Sequence, residues 1–145
     1  MNDNDCIFCK IIRKEIPSTV LYEDELVMAF MDVMPVNPGH VLIIPKEHQQ
    51  YVSDVSPEAA SRMFEVARKI NTATRKSGLK CDDINFMVSD GPAASQEVAH
   101  CHLHSIPRYE GDGVKFVFPG KADGMAAIED LKEAADKIKS NLKGL

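Results

Sequence analysis

The 145 residues, 44% hydrophobic and 27% charged, suffice for one domain with a sizeable core, and the composition is not that of a disordered chain. A net charge of −5 argues against a nucleic-acid polymer as the main partner, since such proteins carry a basic stripe. No apolar run approaches the length of a membrane span, and the polar start MNDNDCIFCK is unlike a secretory signal. The four cysteines are therefore expected to be reduced and the protein cytoplasmic.

In chain order, CIFCKIIRKEIP places Ile7, Ile11 and Ile12 at helical spacing ahead of Pro17, predicting a short helix. STVLYEDELVMAFMD reads as two strands joined by a tight acidic turn at Glu23 to Glu25. After the loop MPVNPGH, the run Val41 to Ile44 suits a strand covered on both faces. Ser56 as N-cap, Pro57 and Glu58 then open a long helix ending before Gly78. Its apolar positions are Met63, Phe64, Ala67, Ile70 and Ala73. DINFMVSDG alternates Ile84, Phe86 and Val88 as a strand, and HCHLHSIPR follows as another. Beyond a stretch rich in glycine, Met125, Ile128, Leu131, Ala135, Ile138 and Leu142 mark a final amphipathic helix within about 123–143. The sum is an α+β fold: an antiparallel sheet packed by one long helix, with additional N- and C-terminal helices.

On a strand, His100, His102 and His104 share one face, about 6.6 Å apart, while Cys101, Leu103 and Ile106 are left to the other side or the end. Three imidazoles on one face point to chemistry. All three could ligate one metal, as in catalytic zinc sites; or one could be a nucleophile that its neighbours orient. A third possibility is a binding or interaction protein with little catalysis. The upstream loop SDGPAASQEVA is built of small residues that let backbone N–H groups approach an anion, with Ser95 and Gln96 adding polar side chains. Cys6 and Cys9 have the spacing of half a zinc site, and the βαβ setting of a redox CxxC is missing. Cys81 and Cys101 read as small packing residues.

GPAASQEVAHCHLHSIPR resembles the signature of the histidine triad (HIT) family. CIFCKIIRKEIP is similar to the opening of its Hint-like branch, and FMDVMPVNPGHVLIIPKEH to its ribose-side strand and loop. The resemblance covers about residues 5–108 of a single HIT domain spanning 1–145, with the C-terminal helix as an extension. It implies a nucleotide hydrolase or transferase acting at the α-phosphorus of a purine nucleotide conjugate, either a nucleoside phosphoramidate or a dinucleoside polyphosphate. The catalytic residues would be His102 as nucleophile, forming a nucleotidyl-histidine, His104 on the phosphate oxygens, and His100 supporting His102. Asp32 would accept from the ribose hydroxyls, with His40, Ser89, Ser95 and Gln96 also on the substrate side. Some prokaryotic members hold a structural zinc, implying Cys6, Cys9, His48 and His100 as ligands here. No organic cofactor is implied, and a homodimer is. The sequence departs from the pattern at Ser95, where glycine is usual, at Ser89, commonly asparagine, at Glu97, a serine in Hint-like members, and at Ser105. It also has no tryptophan to match an aromatic C-terminal lid.

Overall fold

The run expected to be covered on both faces is the central strand of a sheet. In the computed structural model, which describes residues 3–117, 124–142 and 144, five strands form one antiparallel sheet. They are β1 (Val20–Glu23), β2 (Val27–Met31), β3 (Val41–Pro45), β4 (Asp83–Met87) and β5 (Leu103–Arg108), in the order β1-β2-β3-β5-β4. Helix α1 (Ile7–Ile12) precedes them and α2 (Pro57–Lys76) joins β3 to β4. The expected α+β architecture is the observed one.

Period-two alternation divides β2 and β3 between two cores. Val27, Ala29, Val41 and Ile43 face α2, joining Ala59, Met63, Val66, Ala67 and Ile70. Met28, Phe30, Leu42 and Ile44 face α1, joining Cys6, Phe8, Cys9 and Ile11. Three expected positions need correcting. Ile7 is 46% exposed, and the inward face of α1 is carried by Phe8, Cys9 and Ile11. Phe64 is 54% exposed, because the buried stripe of α2 runs through 59, 63, 66, 67, 70 and 74, and a residue next to Met63 is turned by 100°. Phe64 instead packs on Phe86 of β4, ring centroids 6.0 Å apart, and Ala73 is exposed as well.

The helix starts as its sequence demands. The Ser56 hydroxyl accepts from the Ala59 N–H at 3.3 Å, and Pro57 occupies the first turn. The acidic turn between β1 and β2 is closed by Asp24, whose Oδ1 accepts from the N–H groups of Leu26 and Val27, both at 2.9 Å. Arg62 of α2 reaches Asp24 Oδ2 at 2.6 Å and fastens the helix to that turn.

The loop between β2 and β3 ends at Gly39, with φ +94°, where a Cβ would stand 2.9 Å from Leu79 Cδ1 and 3.1 Å from Pro107 Cγ. Both the left-handed backbone and the close approach require glycine. Gly39→Ala is expected to destabilise the fold by about 1–3 kcal/mol, read as a lowered urea midpoint; an unchanged midpoint would show that the loop can move aside. Asn37 in the same loop is buried and donates to Pro107 O (2.9 Å) and Asp112 Oδ2 (3.0 Å), tying the loop to the end of β5.

Residues 114–145 cluster into a second compact unit. Its helix α3 spans Ile128–Lys139, with Glu129 and Asp130 in the first turn and Lys137 and Lys139 in the last, as the helix dipole favours. The expected helix was longer: Met125 precedes it, Leu142 follows it, and positions 123 and 143 lie outside the described residues. No helix among the described residues is long and apolar enough to cross a membrane.

Candidate active site and metal centre

All five histidines gather on the α1 side of the sheet. Only His104 lies within the strand expected to hold the triad, paired with Leu42 of β3 and Met87 of β4. His100 and His102 precede β5, in a segment held by His100 N–H to Val98 O (2.8 Å) and Cys101 N–H to Gln49 O (2.6 Å). The alternation still holds there. Cys101 and Leu103 enter the α2 core, while the rings of His100 and His102 meet Phe8 on the other side.

Hydrogen bonds fix the tautomers of this group. His102 Nδ1 lies 2.7 Å from the carbonyl oxygen of His100. A carbonyl only accepts, so Nδ1 carries the hydrogen and Nε2 the lone pair. His40 Nδ1 accepts from the Val36 N–H at 3.2 Å, so His40 donates from Nε2 to His104 Nδ1 at 2.9 Å. His104 is left with an N–H at Nε2. The His102 and His104 ring centroids are 4.8 Å apart, so an imidazole with an unprotonated Nε2 neighbours one that carries its hydrogen on Nε2. Asp32 Oδ2 stands 3.6 Å from His40 Nδ1, and Asp32 Oδ1 accepts from the Met34 N–H at 2.8 Å.

Burial first, and then the neighbouring His102 and His40, push the pKa of His104 down to about 4; burial likewise lowers that of His40. Both rings are neutral at pH 7. Between pH 6.5 and about 4 the unfolded chain takes up a proton at His104 that the folded protein refuses. The stability tied to this ring is therefore full above pH 6.5 and is lost as pH falls towards 4, on the order of 3 kcal/mol in all. Urea midpoints at pH 7 and pH 5 should fall further for the wild type than for His104→Gln; equal falls would contradict this reading.

The loop before the histidines differs from the expected anion cradle. Its N–H groups at Ala94 and Gln96 bond to Gly91 O, and that at Ser95 to Pro92 O. Gly91 N–H donates to Gln96 Oε1 at 3.1 Å, while Gln96 Nε2 donates to Gln50 O at 3.0 Å. Gln96 thus clamps the loop to the segment after β3, and four N–H groups of the cradle are spent internally. Ser95 has φ +67°, a left-handed conformation that accounts for glycine being usual there. Ser89 lies just past β4; extending the Met87–His104 register by two residues sets it level with His102.

On the far side of His102, Cys6, Cys9, His48 and His100 bring one ligand atom each within 4.8 Å of one another. Cys9 Sγ lies 3.2 Å from His48 Nδ1, and His100 Nδ1 lies 3.5 Å from both sulfurs. Tetrahedral zinc with bonds of about 2.3 Å to sulfur and 2.0–2.1 Å to nitrogen separates S from N by about 3.6 Å. The donor set and its spacing fit such an ion. His100 Nε2 donates to Pro45 O at 2.8 Å, which leaves the Nδ1 lone pair facing the thiols. This arrangement opposes a single metal held by all three triad histidines, because both ring nitrogens of His100 are committed elsewhere. Asp32, His40 and His104 form a second group with ligand atoms within 4.8 Å, but its imidazoles are bonded to each other.

Sequence reasoning missed Phe8, whose ring packs against both His100 and His102. Its place between the two cysteines of CIFC was the available signal. The carbonyl groups of Pro45 and His100 and the N–H of Val36 left none, since backbone atoms have no letter.

A family model described as the HIT domain matches residues 13–111, and the chain belongs to the histidine triad family. A crystal structure of a HIT family member from Bacillus subtilis is 40% identical with a TM-score of 0.86, covering 97% of this chain and 99% of that one. A zinc-bound histidine triad protein from Mycobacterium smegmatis is also 40% identical, TM-score 0.74, covering 79% and 83% respectively. The adenosine 5′-monophosphoramidase HNT1 of Saccharomyces cerevisiae is 41% identical over 141 residues, 96% of this chain and 86% of its own length.

Proposed function

We infer that this protein hydrolyses a purine nucleotide conjugate at its α-phosphorus through a covalent nucleotidyl-His102. A single observation carries the reading: the His100 carbonyl holds the hydrogen of His102 on Nδ1, so Nε2 presents a lone pair beside the N–H of His104. In the first step Nε2 forms a bond to phosphorus and the bond to the leaving group breaks, the departing amine or phosphate taking up a proton. Water then attacks the same phosphorus, the N–P bond breaks, and the imidazole regains its lone pair. His104 Nε2–H donates to a non-bridging oxygen as charge builds there, and Asp32 accepts from the ribose hydroxyls. His40 keeps His104 in the donating tautomer. Ser89, Ser95 and Gln96 belong to the loop on the leaving-group side, where Gln96 acts by holding the loop closed.

The monophosphoramidase relative favours a phosphoramidate over a dinucleoside polyphosphate. Mixing the protein with adenosine 5′-phosphoramidate and quenching within a turnover should yield an acid-labile adenylyl group on His102, located by mass spectrometry. Turnover with oxygen-18 water reaching phosphorus while His102 stays unmodified would overturn the reading.

The Cys6, Cys9, His48 and His100 cluster is proposed to hold a structural zinc. Two thiolates and two imidazoles complete the tetrahedron and leave no open position for chemistry. All four cysteines are free, which suits a reducing compartment such as the cytoplasm. Two copies are proposed to pair along β4, the strand at the sheet edge beside the exposed Phe64; a solution mass of twice 16.1 kDa is expected by light scattering.

A further inference from the structure

We propose that Phe8 is a positioning residue for His102, and that through Phe8 and His100 the Cys6/Cys9/His48/His100 cluster governs the set of the His102 ring. The consequence for rate rests on His102 being the nucleophile; the effect on the ring does not.

Two routes join the cluster to that ring. The first is the His100 residue itself. Its Nδ1 faces both sulfurs and its Nε2 is bonded to Pro45 O, so the imidazole is gripped at both nitrogens. The carbonyl of the same residue is the acceptor that holds His102 Nδ1. Whatever fixes the His100 ring fixes the backbone that chooses the tautomer of His102.

The second route is Phe8, which lies in the chain between the two thiols and is 6% exposed. Its ring is nearly perpendicular to that of His102, 82° at 5.3 Å, and also meets His100 at 5.8 Å and Phe30 at 5.6 Å. With the His104 ring 4.8 Å away, Phe8 closes the space into which the His102 imidazole would turn. Helix α1, which carries Phe8, is only six residues long and has no side-chain N-cap bond. So short a helix has little stability of its own. Its position depends on its buried face and on Cys6 and Cys9. A cation held by those sulfurs, His48 and His100 would make α1, Phe8 and the His100 carbonyl one rigid body around His102. Without that link, contacts of 3.2–3.5 Å between thiols and imidazoles are what hold them. The metal centre is thus a setting device for the nucleophile in addition to a fold staple, and a displacement of about 1 Å at a reacting group can slow a reaction on the order of a hundredfold.

Nitrogen-15 NMR of the histidine rings, paired with single-turnover kinetics on adenosine 5′-phosphoramidate, tests this. Zinc-loaded wild type should show one tautomer at His102, with the hydrogen on Nδ1. Zinc-loaded Phe8→Leu, which keeps an apolar side chain but loses the ring, should show averaged or broadened Nδ1 and Nε2 signals. It should also show roughly a tenfold slower adenylyl transfer with little change in nucleotide Kd. Chelated wild type, at a temperature where circular dichroism shows it folded, should behave like Phe8→Leu; if chelation unfolds it, the loaded variant decides alone. The proposal is overturned by His102 signals that stay fixed, or by signals that move while the single-turnover rate does not. Absence of any His102 adduct in the wild type would instead remove the nucleophile assignment and leave the ring signals to decide the coupling.

Discussion

His102→Asn is expected to lower turnover of adenosine 5′-phosphoramidate by at least about a thousandfold, with nucleoside monophosphate binding largely retained. The asparagine amide can still donate to the His100 carbonyl in place of Nδ1–H, so the segment before β5 keeps its anchor. What it lacks is a nucleophilic nitrogen: the amide lone pair is delocalised into its carbonyl. Asp32, His40 and His104, the proposed ribose and phosphate contacts, keep their mutual contacts. Steady-state kinetics with calorimetry of monophosphate binding separates the two effects. A variant that turns over at the wild-type rate would end the assignment, because among the described residues the other imidazole next to His104, that of His40, has its Nδ1 pair committed to the Val36 N–H.

Removal of the proposed zinc should have the largest effect on stability. Zinc bound by two thiolates and two imidazoles contributes about 10–16 kcal/mol in small zinc-finger peptides at pH 7. Here a two-sided sheet supports the fold without it, so a loss of about 10 °C in Tm is expected for Cys9→Ser or after chelation. The electrostatics explain the dependence. In the absence of a cation, burial first, then Asp3 and the Cys6 sulfur, hold the Cys9 thiol well above its ordinary pKa of 9.0. A divalent cation reverses that balance by stabilising the thiolate. Differential scanning calorimetry with and without chelator checks this, and in Cys9→Ser the chelator should have no further effect. An identical Tm in all samples would show that the cluster carries no metal of consequence.

The sequence revealed the parts of the fold that depend on periodicity. Val41 to Ile44, the Ser56–Pro57 start and the alternation of Cys101 and Leu103 against the histidines were legible because burial on a strand or helix repeats at fixed intervals. Phe64 and Ile7 were misplaced because a neighbour in sequence is 100° away on a helix, and hydrophobicity alone does not say which of two adjacent apolar residues faces in. The site was legible as a set of residue types, and the resemblance supplied their order along the chain. It could not supply tautomers, which here depend on three backbone groups, nor the internal use of the 91–96 loop amides. Those follow from three-dimensional contacts alone.

The strand order has a consequence during biosynthesis. β5 is made last of the five yet takes the fourth place in the sheet, between β3 and β4. Until residue 108 has left the ribosome, the growing chain has one side of β3 bare and β4 without its neighbour, two open edges of the kind that recruit foreign strands. His100 and His102 emerge just ahead of β5, and His104 lies within it. The proposed nucleophile and the last of the proposed zinc ligands are therefore made only a few residues before the end of the strand that closes the sheet, so these groups and the finished fold arrive nearly together.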